Sequence, residues 1–178
     1  MRNKLIAQRY SKAIILNMEK RLLDSLLEDT NSLKTIFSQD PSLIKSFDSF
    51  LYPLKKRIDL ALDVADKLNN KNIWKNLFRI LIKKHRFTII PDILIELEEK
   101  ILDSRNQIKV SLKIAREQTD KILNDIAEVI KDILKKDVIL DVKIDSSIIG
   151  GFIAQTNSIL IDGSIKNSLD RLVKIKNK

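Results

Sequence analysis

The spacing of apolar residues changes once along the chain, near residue 105. Before that point apolar residues recur every three or four positions, which is the period of an amphipathic helix. After it apolar and polar residues alternate, which is the period of a strand with one face in water. The first alternating apolar positions are Ile108, Val110, Leu112 and Ile114. The sequence therefore predicts an α+β protein, with a helical domain at residues 1–105 and a smaller α/β domain at residues 106–178.

Six helical segments are predicted in the first domain. Pro53 and Pro91 favour helix starts, because proline fits the first turn of a helix. Asp40 before Pro41 is a typical N-cap pair for the third helix. The second helix is expected to break near Asn31. With no strand pattern between them, the segments predict a six-helix bundle. The predicted helices cover residues 4–18, 19–37, 41–50, 53–70, 72–84 and 91–102.

The second domain mixes strands and helices. A helix is predicted over residues 116–135, where helical spacing returns, and a second strand over residues 138–144. Two short apolar runs on either side of Asn157 and Ser158 predict a β-hairpin. Ser164 is expected to cap a last helix. The apolar positions of that helix are Ile165, Leu169 and Leu172.

All three glycines of the chain lie in one stretch near its C-terminus. Glycine is needed where the backbone takes a positive φ or passes close to another segment, so this stretch is predicted to contain tight turns. Asp145 and Asp162 flank the glycines, and each is expected to hydrogen-bond its own backbone. A phosphate-binding loop is rejected, because the glycine pair leads into a predicted strand and not into a helix. The residues assigned to these turns are Asp145, Gly150, Gly151, Asp162, Gly163 and Ser164.

Composition excludes several classes of protein. The chain has no cysteine, so it can form no disulfide and no thiolate metal site. No apolar run approaches the roughly 20 residues that a membrane-spanning helix needs. The N-terminal residues lack the apolar core of a signal peptide. We therefore expect a soluble cytoplasmic protein that does not insert into a membrane.

The chain is basic, with a net charge of +9 and a pI of about 9.6. A basic balance is compatible with nucleic-acid binding, so a nucleic-acid or ribosome-associated module is kept as the alternative function. The lysines are scattered among carboxylates, however, and the one compact basic cluster covers residues 83–86. Aromatic residues make up only 5%, which leaves few platforms for stacking on bases. We therefore expect no nucleic acid among the partners.

Catalytic chemistry is not predicted. A catalytic site needs a nucleophile, a base and a group that orients the base. The single histidine, His85, lies among positive charges without an adjacent acidic residue, so it is interpreted as a surface or helix-end residue. Asp145 and Asp162 could share acid–base work or hold Mg²⁺ only if they met in space. We expect no enzyme activity, no cofactor and no metal site.

Binding is the remaining class of function. A helix bundle can hold a groove between two helices that accepts an amphipathic partner helix. The alternative is that apolar stripes of this kind belong to the core, which is their usual role. The two stripes that could line such a groove are Ala7, Tyr10, Ala13, Ile14 and Trp74, Leu77, Phe78, Leu81.

Motifs in both domains resemble one known family. At the C-terminus the order is Ile144-Asp145-x-Ser147-x-Ile149-Gly150-Gly151-Phe152, then Ile161-Asp162-Gly163-Ser164-Ile165, then Leu169-x-Arg171-Leu172. The N-terminal half contains Arg9-Tyr10-Ser11-Lys12-Ala13, Asn76-Leu77-x-Arg79-x-Leu81 and Ile90-Pro91-x-Ile93. Together these motifs resemble the delta subunit of the F-type ATP synthase, whose mitochondrial relative is the oligomycin-sensitivity-conferring protein.

The resemblance implies a fold and a non-catalytic role. The family's fold, a six-helix bundle followed by a small α/β domain, agrees with the one predicted from periodicity. The family's role is that of a stator connector, which joins the catalytic head to the peripheral stalk so that the head does not turn with the rotor. The resemblance implies a single copy in a hetero-oligomer at the cytoplasmic face of the bacterial inner membrane.

Two partners follow from the resemblance. In the family, helices one and five grip the N-terminal helix of an α subunit of the catalytic head, and the C-terminal domain meets the b subunits of the peripheral stalk. Residues 116–135 and 150–172 are the candidates for the stalk contact here. The positions that match the head contact are Tyr10, Ala13, Asn76, Leu77 and Ile80.

Two positions depart from the family pattern. The family often has Asn-Gly-Arg after the fifth helix, whereas this chain has Lys84-His85-Arg86 and so lacks the glycine that would end the helix. The family's Thr-Ala pair after the first strand is replaced by Ile114-Ala115. Contacts attributed to that threonine are therefore not expected here.

Overall fold

The structure, a computed structural model, describes residues 2–156, 158–167 and 169. It forms two compact units, Met1–Ile101 and Leu102–Lys178. Helices make up the first unit, and the second contains a β-sheet with a helix packed on it. The predicted α+β class is therefore confirmed.

Helices of the first unit follow one another through short connections. Turns of 3-10 helix at Lys20–Leu22 and Phe87–Ile89 precede the second and sixth helices. None of the helices in the described part of the chain is long and apolar enough to cross a membrane. The helices are α1 (Arg2–Leu16), α2 (Leu23–Gln39), α3 (Ser42–Asp48), α4 (Leu54–Ala65), α5 (Lys71–Lys83) and α6 (Ile90–Ser104), which continues into the second unit.

Two predictions about helix limits are wrong. α2 runs unbroken past Asn31, because that side chain is exposed while Leu26 and Leu33, on either side of it, hold the helix on the core. α4 ends at Ala65 and not at the later asparagine pair. The reason is a tighter turn, in which the N–H of Leu68 donates to the Ala65 carbonyl at 3.2 Å.

Four phenylalanine rings meet at the centre of the first unit. Phe87 contacts Phe37, Phe47 and Phe78 edge to face, with ring centroids 5.9, 4.7 and 5.3 Å apart. Such pairs contribute about 0.5–1.5 kcal/mol each beyond their burial. The rings come from α2, α3, α5 and the turn before α6. That turn is therefore part of the core and not a loose connection.

A buried carboxylate links α2 to the start of α5. Asp29 Oδ1 accepts the backbone N–H of Asn69 at 2.8 Å, and Oδ2 accepts that of Asn70 at 2.9 Å. Oδ2 also accepts the Asn70 side-chain amide at 2.9 Å and the Trp74 indole N–H at 3.0 Å. A negative charge at a helix N-terminus is further stabilised by the helix dipole. Asp29 therefore fixes the start of α5 and the position of the Trp74 ring.

α5 ends in a conformation that usually belongs to glycine. His85 has a φ of 50°, in the left-handed region. The N–H of Arg86 donates to the Leu81 carbonyl at 2.9 Å and that of His85 to the Ile82 carbonyl at 3.1 Å. This is the hydrogen-bond pattern of a Schellman motif. The helix cap therefore forms without the family's glycine, although a side chain in this region costs about 1 kcal/mol.

The second unit is built on a sheet of four strands in the described part of the chain. β1 (Gln107–Ile114) lies parallel to β2 (Asp137–Ile144), and α7 (Asp120–Leu134) connects them. β3 (Phe152–Gln155) pairs antiparallel with β1, and β4 (Leu160–Asp162) pairs antiparallel with β3. The order β2-β1-β3-β4 places β2 and β4 at the edges of the described sheet.

One face of the sheet packs on α7. Val110, Leu112 and Ile114 of β1 are buried, and Ile130 of α7 and Ala154 of β3 belong to the same apolar cluster. The intervening residues of β1 are half-buried or exposed. The alternation predicted for this strand is therefore confirmed.

The predicted hairpin and last helix are described only in part. The N–H of Thr156 donates to the Ile159 carbonyl at 2.8 Å across the hairpin, while Asn157 lies outside the described residues. Ser164 Oγ accepts a backbone N–H three residues further on at 3.2 Å, which is the bonding of an N-cap. Leu172, assigned to the last helix, also lies outside the described residues.

Candidate functional site

The residues matched to the head contact lie on α1 and α5. Tyr10 is half-buried against the core, and Ala13, about one turn later, is exposed. Asn76 and Ile80 are exposed and lie about one turn apart, so they share a face of α5. Leu77 is only 4% exposed and belongs to the core cluster. Leu77 therefore supports this face from below, whereas the other four residues reach the surface.

The apolar stripe of α5 belongs to the core. Trp74, Phe78 and Leu81 are fully buried, as is Ala7 of α1. α4 and the turn before α6 pack against α5. Of the two interpretations of this stripe, the core is the one that the structure supports. A groove lined by these side chains is therefore excluded in this structure.

α1 carries an exposed face that periodicity alone did not separate from its buried stripe. Leu5 and Leu16 are 63% and 74% exposed, and Arg9 and Lys12 between them are exposed as well. Steps of four, three and four residues place all of these side chains on one side of the helix. The outer face of α1 thus combines two exposed leucines with two positive charges. Leu5 and Leu16 lie on a different side of the helix from Ala7. That difference in helical position is the sequence signal that could have identified the exposed face.

Buried polar groups hold α1 on α6. Glu96 of α6 is buried, and its Oε1 accepts the Gln8 amide at 3.4 Å and lies 3.9 Å from Lys4 Nζ. Burial raises the pKa of Glu99 above its ordinary value, and the Glu96 carboxylate raises it further. Glu99 Oε1 has no hydrogen-bond partner among the described residues. The contacts of Glu96 with Gln8 and Lys4 hold one side of α1 against α6, and the outer face of α1 stays exposed.

The three glycines lie where two backbone segments cross. Gly151 has a φ of 83°, and a Cβ atom there would lie 2.3 Å from the Gly163 carbonyl oxygen. The N–H of Gly163 donates to the Phe152 carbonyl at 2.9 Å. The N–H of Ile165 donates to the Gly150 carbonyl at 3.0 Å. The C-terminal motif therefore consists of two closely packed backbone segments joined by hydrogen bonds.

The aspartates of the C-terminal motif make the local hydrogen bonds that we expected. Asp145 Oδ1 accepts the Ser147 N–H at 3.1 Å and the Ser147 hydroxyl at 2.6 Å. These hydrogen bonds hold the pKa of Asp145 below its ordinary value. Asp162 Oδ1 accepts the Ser164 N–H at 2.9 Å. Across the part of the chain that the structure describes, no group of three or more acidic or histidine side chains could hold a metal ion.

α7 presents apolar residues on two of its sides. Ile130 and its neighbours on that side pack on the sheet. On another side Ile122, Val129 and Ile133 are 42%, 51% and 55% exposed. Their spacings of seven and four residues are those of a seam that packs against another helix. This stripe lies within the region that the resemblance offers for the stalk contact.

A sequence profile of the ATP synthase delta (OSCP) subunit matches residues 6–175. The chain belongs to this family. The match extends through both units, so the resemblance noted in the motifs is confirmed. It includes α1 from Ile6 onward, the exposed face of α5, the exposed stripe of α7 and the glycine turns of this delta-family chain.

Three bacterial delta subunits are similar to this chain, two of them along nearly its whole length. The ATP synthase subunit delta of Trichlorobacter lovleyi is 28% identical over 100% of this chain and 99% of its own length. That of Carboxydothermus hydrogenoformans is 29% identical over 97% of each chain. That of Wigglesworthia glossinidia brevipalpis is 36% identical over 72% of this chain and 71% of its own.

A solved structure shares the fold. A chain of the Toxoplasma gondii mitochondrial ATP synthase hexamer, determined by cryo-electron microscopy, matches with a TM-score of 0.77 over 97% of both chains. Its sequence is 12% identical, so this likeness concerns the fold alone.

Proposed function

We propose that this delta-family chain is the non-catalytic stator connector of a proton-translocating F-type ATP synthase. It joins the catalytic head to the peripheral stalk, so that the head does not turn with the rotor. The observation that carries the proposal is the family match over residues 6–175, which extends through both units. A stator connector needs one stable contact with the head and one with the stalk, and it needs no active-site chemistry. The helices α1–α6 act as a six-helix bundle for the head, and the α/β unit serves the stalk.

The proposed setting is bacterial. One copy of the chain belongs to the hetero-oligomer, held at the cytoplasmic face of the inner membrane by its partners. Similarity to bacterial delta subunits along the whole chain supports this setting. The basic composition serves acidic partner surfaces and not nucleic acid. Ion pairs such as Lys75–Asp66 at 2.6 Å and Lys131–Asp137 at 2.7 Å place carboxylates among the lysines, whereas a nucleic-acid surface needs an uninterrupted basic face.

The head contact is proposed on the exposed faces of α1 and α5, where it takes the N-terminal helix of an α subunit. Ala13 and Ile80 offer exposed apolar surface there. Arg9 and Lys12 add positive charge on α1. An amphipathic partner helix with acidic residues fits this chemistry, because its apolar side covers the aliphatic groups and its carboxylates meet the cations. Leu77 acts beneath this contact as a core residue.

We expect Ala13→Asp and Ile80→Asp each to weaken binding of the α-subunit helix by about 30-fold or more, because each places a negative charge in the apolar part of the contact and against the carboxylates of the partner helix. The measurement is calorimetric titration of the full chain with a synthetic peptide of that helix. Calorimetry is preferred to tryptophan emission, since Trp74 is buried in the core.

The matched control for the head contact is Ser32→Asp. It introduces the same charge at an exposed position of α2 and should leave the dissociation constant within about twofold. If neither contact variant differed from this control, the assignment of the head contact to α1 and α5 would be wrong.

The stalk contact is proposed on the exposed stripe of α7, which packs against the helices of the b subunits. We expect Val129→Asp to weaken binding of the soluble part of the b subunits by about 30-fold, since it places a charge in the middle of the seam. Asn124→Asp adds the same charge at another exposed position of α7 and should have little effect. Calorimetric titration of the full chain measures both. Equal affinities for the two variants would contradict this assignment, and the head peptide should bind both variants normally.

A further inference from the structure

An apolar segment is uncovered between α3 and α4. Phe50 and Leu51 are 81% and 89% exposed, and Tyr52 and Leu54 are exposed as well. We call residues 50–54 the apolar loop. Contiguous exposed apolar residues of this kind mark interaction sites on soluble proteins. The apolar loop contains none of the residues of the proposed head and stalk contacts.

Contacts on its inner side hold the apolar loop in place. The Phe50 ring stacks on the His85 imidazole, with centroids 4.4 Å apart. The Arg57 guanidinium carbon lies 6.0 Å from the centroid of the same phenylalanine ring. The N–H of Leu51 donates to the Ser49 hydroxyl at 3.2 Å. A surface held in this way loses less conformational entropy on binding than one that must first become ordered.

Arg57 supplies an unused hydrogen-bond donor beside the Phe50 ring. The residue is only 4% exposed, and its Nη1 donates to the Phe47 carbonyl at 3.2 Å. Its Nε is buried and has no hydrogen-bond partner among the described residues. Because this atom is buried, Arg57 supports the apolar loop from its inner side and does not itself offer a surface to a ligand.

Positive charge borders the apolar loop. Lys56 Nζ lies 5.6 Å from the centroid of the Tyr52 ring. The stacking of His85 on Phe50 brings the basic end of α5 next to the loop. We call the exposed cations on these two sides the basic rim: Lys55, Lys56, Lys83, Lys84 and Arg86.

We propose that the apolar loop and its basic rim bind an acidic protein segment that carries an apolar anchor residue. The anchor covers Phe50 and Leu51, and the carboxylates beside it meet the basic rim. A short protein segment fits better than a lipid surface, because the apolar loop is a single five-residue patch that contacts with Ser49, Arg57 and His85 hold in one place. This contact is independent of the stator role and of the head contact.

The test uses the full chain and a short synthetic peptide with leucine and phenylalanine between glutamates. We expect saturable binding by calorimetry, weakened about tenfold or more by Leu51→Asp and by Lys84→Glu. A peptide with lysine in place of each glutamate should not bind. Ile149→Asp changes a comparably exposed apolar residue outside the proposed contacts and should leave binding of the acidic peptide unchanged.

Three results would overturn the proposal. The first is binding to vesicles of phosphatidylglycerol and phosphatidylcholine without binding to the acidic peptide, which would assign the apolar loop to a membrane surface. The second is equal affinity of Leu51→Asp and the unchanged chain. The third is no binding of either probe. The α-subunit peptide, titrated in parallel, shows separately whether the stator proposal holds.

Discussion

Replacing Asp29 by alanine is expected to lower the free energy of unfolding of the first unit by about 3 kcal/mol, because four donors lose their acceptor. Two of these donors are the backbone N–H groups at the start of α5, and a third is the buried indole of Trp74. Water cannot replace the carboxylate easily, since Asp29 is 2% exposed. Urea unfolding followed by Trp74 emission measures the effect, because this tryptophan lies in the same unit.

Two further variants make the Asp29 prediction specific. Asp29→Asn keeps an acceptor but loses the charge, so it should cost less than the alanine variant and more than a surface change. Asp59→Ala removes a carboxylate from an exposed position of α4 and should change stability by less than about 0.5 kcal/mol. A loss for Asp29→Ala no larger than that of this control would show that the hydrogen bonds of Asp29 contribute little to stability.

Gly151→Ala is expected to destabilise the second unit by about 3 kcal/mol. A side chain at a φ of 83° is strained, and its Cβ would lie 2.3 Å from the Gly163 carbonyl oxygen. Relief requires the two crossing segments to move apart, which breaks the hydrogen bond between Gly163 and Phe152. Trp74 lies in the other unit, so amide hydrogen exchange of β3 and β4 is the appropriate measurement.

The neighbouring glycine provides the control for this prediction. A Cβ at Gly150 would lie 2.6 Å from the Ile165 Cδ1, which is the end of a flexible side chain that can rotate away. Gly150→Ala should therefore cost less than about 1 kcal/mol. If the two variants were equally stable, the crossing of the glycine segments would not be as tight as the structure indicates.

The spacing of apolar residues was sufficient to predict whether most elements are helices or strands, because buried positions recur along each element at its own period. The alternation from Ile108 to Ile114 predicts β1, and three of its four apolar positions are fully buried. The strand order depends on pairings between distant segments, such as Val110 opposite Leu140, and periodicity does not contain that information. The expected break at Asn31 was wrong because the core packing of Leu26 and Leu33, before and after this exposed residue, outweighs the low helix propensity of asparagine.

Long-range polar contacts could not be predicted from spacing. In the sequence Asp29 is one acidic residue in a helix, and its donors follow about forty residues later. Solvent exposure could not be predicted from residue type either. Leu51 is exposed and Leu81 is buried, although both are leucines. Leu77, which the family motif placed in the head contact, lies in the core for the same reason. Only the packing of neighbouring helices decides which side of an apolar helix faces solvent.

β2 leaves one edge of the described sheet open. This strand has eight residues and pairs with β1 on one side, so its other side offers unpaired backbone N–H and C=O groups in the described sheet. Such an edge can take up extended segments of other chains, and charged residues such as Asp141 and Lys143 reduce that risk without removing it. At high concentration the isolated chain is therefore open to association of two copies through this edge.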